Sequence, residues 1–279
     1  MKNNILVIGG TGKTGRKVAE RLTKAGQLVR IGSRTANPSF DWHDPTTMPA
    51  AKEGINKVYK TFQPDLAVPG AKEIIQTFAE LAAQKGVEKL VILSGRGEAE
   101  AQACEKIIMN AGTNWSVVRA DWFNQNFSES FFLEPIQAGH LALPRGEAKI
   151  PFVDTDDISD VAVEALLKDQ YNGQVLEVTG PGLLTFSDVV SEIANATGRK
   201  ITFQDISLEE YVTFMEKNHV PEAFIWLVNY LFTEVLDGRN FSTTDTIARV
   251  LGRKPKAFST YAHETAASGI WSVPVSAAM

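Results

Sequence analysis

Glycines stand at positions 9, 10, 12 and 15, interleaved with Thr11, Lys13 and Thr14, directly after the apolar run 5–8. Their spacing reads as G-x-G-x-x-G through Gly10, Gly12 and Gly15, or as G-x-x-G-x-x-G through Gly9, Gly12 and Gly15. The chemistry is the same for both. One glycine turns the chain sharply, one admits a pyrophosphate close to the backbone, and one lets the next helix close on the strand, its amino end holding the negative charge. The run before reads as a buried parallel strand. Val18, Ala19 and Leu22 after it form one helical face, which is the context the fingerprint requires. Gly12-Lys13-Thr14 also matches the end of a triphosphate-binding loop. That loop needs a further glycine where Val7 stands inside the strand, and no apolar strand ends in an Asp for magnesium. NTPase chemistry is excluded.

The second strand, Leu28 to Ser33, is followed by Arg34. About 20 residues past the glycines an NAD site carries Asp or Glu to bind the ribose 2′-hydroxyl. A hydroxyl and a guanidinium there, Ser33 and Arg34, instead suit a 2′-phosphate through charge-assisted hydrogen bonds. NADP(H) is the expected cofactor. Asp41-Trp42-His43-Asp44 closes a short third strand, with Asp41 placed for the adenine amino group, while Asp44-Pro45 opens a helix over 46–53.

Other constellations carry less. Leu93-Ser94-Gly95-Arg96-Gly97 lacks the leading glycine of a serine-hydrolase elbow, so Ser94 reads as a strand-end residue beside the cofactor. Histidines 43, 140, 219 and 263 are scattered with no i,i+4 pair, and no metal site is expected. The lone Cys104 reads as a small buried residue on a helix. Asp156-Asp157 and Glu209-Glu210 sit at helix starts, where they complement the dipole. The aromatic stretch Phe224, Trp226, Leu227, Tyr230, Leu231 and Phe232 reads first as helix core, with a pocket wall or a dimer contact as alternatives.

These residues need a frame. The 279 residues suffice for a large α/β domain, or a nucleotide domain with a smaller lobe. At 44% hydrophobic and 22% charged the composition is that of a soluble globule, and a net charge of −5 argues against nucleic acid as a partner. No signal peptide or membrane span is visible, which makes cytoplasm the expected location. Strands are expected at 57–62, 89–94, 115–119, 150–153, 175–179 and 200–203. Helices are expected at 71–86, 98–110 and 158–167, after Thr185 or Ser187, and from 208 to 267. The alternation implies a doubly wound parallel sheet of Rossmann type, with a smaller, mostly helical carboxy-terminal lobe. The expected division is 1–155 for the dinucleotide domain and 156–279 for the remaining Rossmann elements and the substrate lobe.

With the fingerprint, Ser33-Arg34, Phe62-Gln63-Pro64, Leu93-Ser94, Val118-Arg119, Trp122-Phe123-x-x-Asn126-Phe127 and Pro151-Phe152-Val153-Asp154-x-x-Asp157 in place, the chain resembles the NmrA-like branch of atypical short-chain dehydrogenase/reductases. It is more specifically similar to the subgroup of ergot-alkaloid (festuclavine and agroclavine) dehydrogenases and bacterial NAD(P)H-dependent quinone or azo reductase-like proteins. The resemblance spans most of the chain, most closely over 1–160. It implies a Rossmann domain, bound NADP(H) and a cleft against the carboxy-terminal lobe. It further implies that Gly9 to Thr14 hold the pyrophosphate, and that Phe62, Gln63, Pro64 and Ser94 line the nicotinamide side. Trp122, Phe123 and Asn126 would face substrate or nicotinamide.

One departure bears on the chemistry. A typical member of the superfamily carries Tyr-x-x-x-Lys on the helix after Ser94, as acid and pKa-lowering base. Here Glu98 to Lys106 contains no tyrosine; aligned on Glu105, the tyrosine and lysine positions fall near Gly97 and Ala101. The expected reaction is therefore hydride transfer to a small electron-poor molecule, an iminium, quinone or azo compound, with the catalytic residues unassigned. The alternative is a non-catalytic NADP(H) sensor of NmrA type acting through a protein partner. Monomer and homodimer remain open.

Overall fold

A computed structural model describes residues 3–272. These fall into two compact units that interleave along the chain: one holds the stretch up to Ala120, Thr155–Val178 and Asp245–Arg253, the other Asp121–Asp154, Thr179–Thr244 and the stretch from Lys254.

The first unit is built on a parallel sheet. Its order is β2 (Leu28–Gly32), β1 (Asn4–Ile8), β3 (Lys57–Lys60), β4 (Lys89–Gly95), β5 (Asn114–Ala120) and β7 (Gln174–Val178). Strands buried on both faces explain the unbroken apolar runs. One face, with Leu6, Ile8, Val58, Phe62, Leu90 and Ile92, joins a core with Ile75 and Phe78 of α3 (Ala71–Gln84) and Ala101 and Cys104 of α4 (Ala99–Met109). Alternate residues point the other way: Lys57 Nζ donates to the Leu166 carbonyl of α6 (Thr155–Leu167), and the Tyr59 hydroxyl reaches Thr14 before α1 (Gly15–Lys24).

Helices α1 and α6 are locked by charge. Asp156 takes Lys17 at 2.9 Å and Arg21 at 2.8 Å; Asp160 takes Arg21 at 2.5 Å. Fully buried Asp157 takes Arg253 at 2.5 Å, just after α10 (Thr246–Leu251). Dipole complementation alone therefore does not account for Asp156-Asp157: both carboxylates tie helices together.

Three expected elements differ. The third strand at 41–44 is only an isolated antiparallel bridge, Asp41 to Asp44, because Asp41 accepts from the His43 amide and turns the chain at once. The helix at 46–53 shrinks to a 3-10 turn, Pro45–Thr47, and the single turn α2 (Met48–Ala51), with the Asp44 carboxylate capping the former. Residues 150–153 form no strand; Ile150 bridges Leu184 and Val153 bridges Phe123 singly.

The second unit carries the two-stranded parallel sheet β6 (His140–Leu143) and β8 (Thr202–Asp205). Around it lie α5 (Leu133–Ala138), α7 (Phe186–Thr197), α8 (Leu208–Lys217), α9 (Glu222–Tyr230) and α11 (Phe258–Ala267). Thr185, not Ser187, caps α7, in a reciprocal box with Asp188, and Ser207 with Glu210 repeats the device on α8. Phe127, Phe132, Phe152, Phe186 and Phe232 meet edge-on or tilted at the centre, a geometry that ring quadrupoles favour. Of the aromatic stretch, Phe232 enters this core and Leu227 is buried, whereas Trp226 is 39% exposed and stacks on Tyr230. Among the described residues no helix is long and apolar enough to cross a membrane.

Candidate functional site

The glycine loop is shaped by two residues that admit no side chain. Gly9 adopts φ +72°, a left-handed conformation that L side chains rarely take. A Cβ on Gly15 would lie 2.1 Å from the Gly9 carbonyl oxygen, so α1 closes on the loop only because that position is glycine. The Gly12 amide donates to the Gly9 carbonyl at 2.9 Å and completes the turn. Thr14 begins α1 without capping it by side chain, and no acid stands in the first turn. The helix amino end thus keeps its positive field for an anion. Thr14 itself is pinned from both sides, its hydroxyl by the Tyr59 hydroxyl at 3.0 Å and its carbonyl by Ser159 Oγ at 3.3 Å. Burial pushes the Tyr59 hydroxyl far above its ordinary pKa, so it stays a neutral donor.

The Gly9 amide donates to the Gly32 carbonyl at 3.0 Å, which brings the tip of β2 beside the loop. Ser33 and Arg34 follow at once. The Ser33 carbonyl accepts from the Ala36 and Phe40 amides, fixing the turn, and its hydroxyl lies 3.3 Å from that of Thr35. Arg34 is exposed at this corner. Asp41 spends one carboxylate oxygen on the His43 amide, and Trp42 Nε1 donates to the Thr61 carbonyl at 3.0 Å.

The carboxyl end of β3 meets the same loop. Thr61 fills the space beside Gly9, where an added Cβ would fall 2.0 Å from its hydroxyl, and Gln63 Nε2 lies 3.8 Å from the Cβ position of Gly12. Phe62 differs from expectation: it is buried in the sheet core against Trp42, with ring centroids 5.2 Å apart. Gln63 and Pro64, joined by a cis peptide, are exposed. Ser94, near the end of β4, is 5% exposed, and its hydroxyl is buried with no hydrogen-bond partner.

Charged groups cluster at these strand ends, and the motifs do not reveal how they pair. Arg119 near the end of β5 grips buried Glu105 of α4 through Nε at 2.9 Å and Nη2 at 2.5 Å, and Glu177 of β7 through Nη1 at 2.6 Å. Arg96 reaches Glu177 at 3.5 Å. The hydrogen bond to Glu105 raises the Arg119 pKa further, so the guanidinium keeps its charge. The Asp65 carboxyl is hydrogen-bonded to that of Glu98, and burial raises its pKa. Sequence reading named Arg119 in a motif and Glu105 as an anchor but not their pairing, and passed over Asp65; the one local signal there is Glu98, an acid just before α4 that makes no capping bond.

The glycine loop, Ser33, Arg34, Gln63 and Ser94 thus lie at the carboxyl ends of the first unit's strands, where open α/β sheets bind ligands. The residues present fit a dinucleotide: the loop leaves space where side chains would stand, the helix end is free of acids, and a cation flanks it. Trp122, Phe123 and Asn126 belong to the second unit. There Trp122 packs edge-on against Phe186 and Phe232, and the Asn126 amide donates to the Phe123 carbonyl.

Comparison with known proteins agrees with this picture. The profile of the NmrA-like family matches residues 99–260. The NAD(P)H azoreductase of Xenophilus azovorans is 28% identical over 288 residues, covering 95% of this chain and 98% of that one. Festuclavine synthase II of Penicillium roqueforti is 28% identical over 285 residues, covering 93% and 98%. The NADPH-dependent quinone oxidoreductase QOR2 of Escherichia coli, solved with NADPH, superposes with a TM-score of 0.76 at 17% identity, covering 93% and 99%. With a profile match over more than half its length and a Rossmann-type parallel sheet, the chain belongs to the NmrA-like family.

Proposed function

We propose that the protein is an NADPH-dependent oxidoreductase that reduces a small electron-poor acceptor of iminium, quinone or azo type. The observation that carries this reading is the bond between Gly9 and Gly32, which sets Ser33 and Arg34 beside a loop shaped for a pyrophosphate. NADPH, when bound, supplies the hydride. The chain's own residues bind and orient. Gly9, Gly10, Thr11, Gly12, Lys13, Thr14 and Gly15 hold the diphosphate with backbone amides and the α1 field. Ser33 and Arg34 hold the 2′-phosphate, Asp41 the adenine, and Gln63, Pro64 and Ser94 the nicotinamide side. Phe62 acts by supporting that loop through its contact with Trp42. Trp122, Phe123 and Asn126 contact the acceptor. The azoreductase and QOR2, one a relative and one a fold neighbour, support a nicotinamide cofactor and an acceptor of this class.

The absence of tyrosine from α4 favours a second reading, an NADP(H) sensor that signals through a protein partner. Steady-state oxidation of NADPH with a panel of quinones, azo dyes and cyclic iminiums separates the two. Turnover above background with any member supports the reductase; tight NADPH binding with none overturns it in favour of the sensor.

A further inference from the structure

We infer that Tyr59 and Ser159 are positioning residues for the dinucleotide: two buried hydroxyls, one from β3 and one from α6, that hold Thr14 and so aim the first turn of α1 at the diphosphate. The inference rests on the dinucleotide site proposed above and adds to it two residues that act through Thr14.

Packing alone does not explain the Tyr59 hydroxyl. In the sheet Tyr59 stands between Val7 of β1 and Val91 of β4, and all three are fully buried. A phenylalanine would fill the same space. A hydroxyl among such neighbours is costly unless it is bonded. Its partner is Thr14 Oγ1 at 3.0 Å. Burial holds the phenol far above its ordinary pKa, so it stays neutral and keeps its proton for that bond.

Ser159 reaches the backbone of the same residue. It is fully buried, and its Oγ donates at 3.3 Å to the Thr14 carbonyl, which also accepts from the Val18 amide at 2.9 Å. Helix α6 is itself fixed to α1, since Asp156 takes Lys17 at 2.9 Å and Arg21 at 2.8 Å. Strand β3 and helix α6 thus both hold Thr14.

Thr14 is where this hold reaches a ligand. Its backbone is helical, with φ −96° and ψ −41°, and its side chain makes no capping bond. Helical bonding begins with the Arg16 amide, which donates to the Gly12 carbonyl at 3.2 Å. Thr14 and Gly15 therefore lie in the turn whose amides have no acceptor within the helix, the turn that suits an anion. Gly12, the first residue to accept, has no side chain to take those amides. The glycines give the turn its shape, and the two hydroxyls keep it there. Amides fixed before the diphosphate arrives spare binding the cost of ordering them.

Tyr59→Phe and Ser159→Ala in the full chain each remove one hydroxyl. By calorimetry, each should weaken NADPH and ADP-ribose 2′-phosphate alike, by about fivefold, the worth of one neutral hydrogen bond. Both ligands carry the diphosphate. 2′-AMP lacks it and should bind each variant as it binds wild type. Thr14→Ser keeps the hydroxyl and should match wild type. Thr14→Val should lose as much as Tyr59→Phe, and the double variant no more than either, because both singles break one bond. A merely structural role would weaken 2′-AMP in proportion. A loss of NADPH affinity under twofold in either hydroxyl variant, an equal loss for 2′-AMP, or additive losses in the double variant overturns the positioning role. Wild type that binds neither diphosphate ligand overturns the dinucleotide site itself, a result read before any variant is made.

Discussion

Replacing Lys60 by Met should stabilise the protein at neutral pH. Lys60 ends β3 with its side chain 1% exposed, and its amine has no hydrogen-bond partner. The aromatic faces of Trp42 and Phe78 lie 5.6 and 5.8 Å away, at the outer edge of cation–π reach. Burial therefore pushes the amine from its ordinary 10.5 down to about 7. Between those values the unfolded chain binds a proton that the folded one does not, so stability rises with pH across this window and levels off below about 7. The slope is ~1.4 kcal/mol per pH unit, and the whole window amounts to ~5 kcal/mol as an upper figure. Lys52, also fully buried, has its amine lowered to about 7 although it donates to the Phe78 carbonyl at 3.2 Å. Lys89, lowered to about 8 by burial, adds a third, so wild type should show up to three protons' worth of slope between about pH 8.5 and 9.5. Urea titrations at several pH values should give Lys60→Met about two-thirds of that slope and ~2–4 kcal/mol more stability at pH 7. An unchanged slope, or a variant less stable than wild type at pH 7, would refute the argument.

Arg34→Asp should reduce the preference for NADP over NAD at least tenfold, a loss of ~1.4 kcal/mol, measured by calorimetry with both dinucleotides. Undiminished preference would mean another group binds the 2′-phosphate. Gly15→Ala puts a methyl 2.1 Å from the Gly9 carbonyl; thermal melts should show ~1–3 kcal/mol of destabilisation, and dinucleotide binding should drop below detection. Arg253→Ala withdraws an arginine from fully buried Asp157 and from Asp160. Denaturant titration should register a loss of ~3 kcal/mol.

Much of the fold is legible locally. The run 5–8, the glycines behind it and the face Val18, Ala19 and Leu22 announce strand, loop and helix because each requirement is met within one short segment. The β2 tip is legible for the same reason. Elements that depend on partners were not. The stretch 150–153 has a strand's composition, yet only single bridges at its ends find neighbours. Asp41 to Asp44 failed as a strand because a carboxylate that captures a nearby amide outcompetes the ladder. Phe62 was expected at the cofactor, but it packs with Val58 in the core and against Trp42.

The sequence by itself determined the phosphate-binding loop and the charge beside it, since backbone freedom at glycine and the sign of a side chain are properties of single residues. Only the tertiary structure decided which distant groups meet. Arg119 of β5 meets Glu105 of α4 and Glu177 of β7 only once the sheet is assembled, and the Lys60 amine is pushed down to about 7 because burial removes its water. Desolvation and ion pairing depend on what surrounds a group in space, and that depends on contacts between segments that no local spacing encodes.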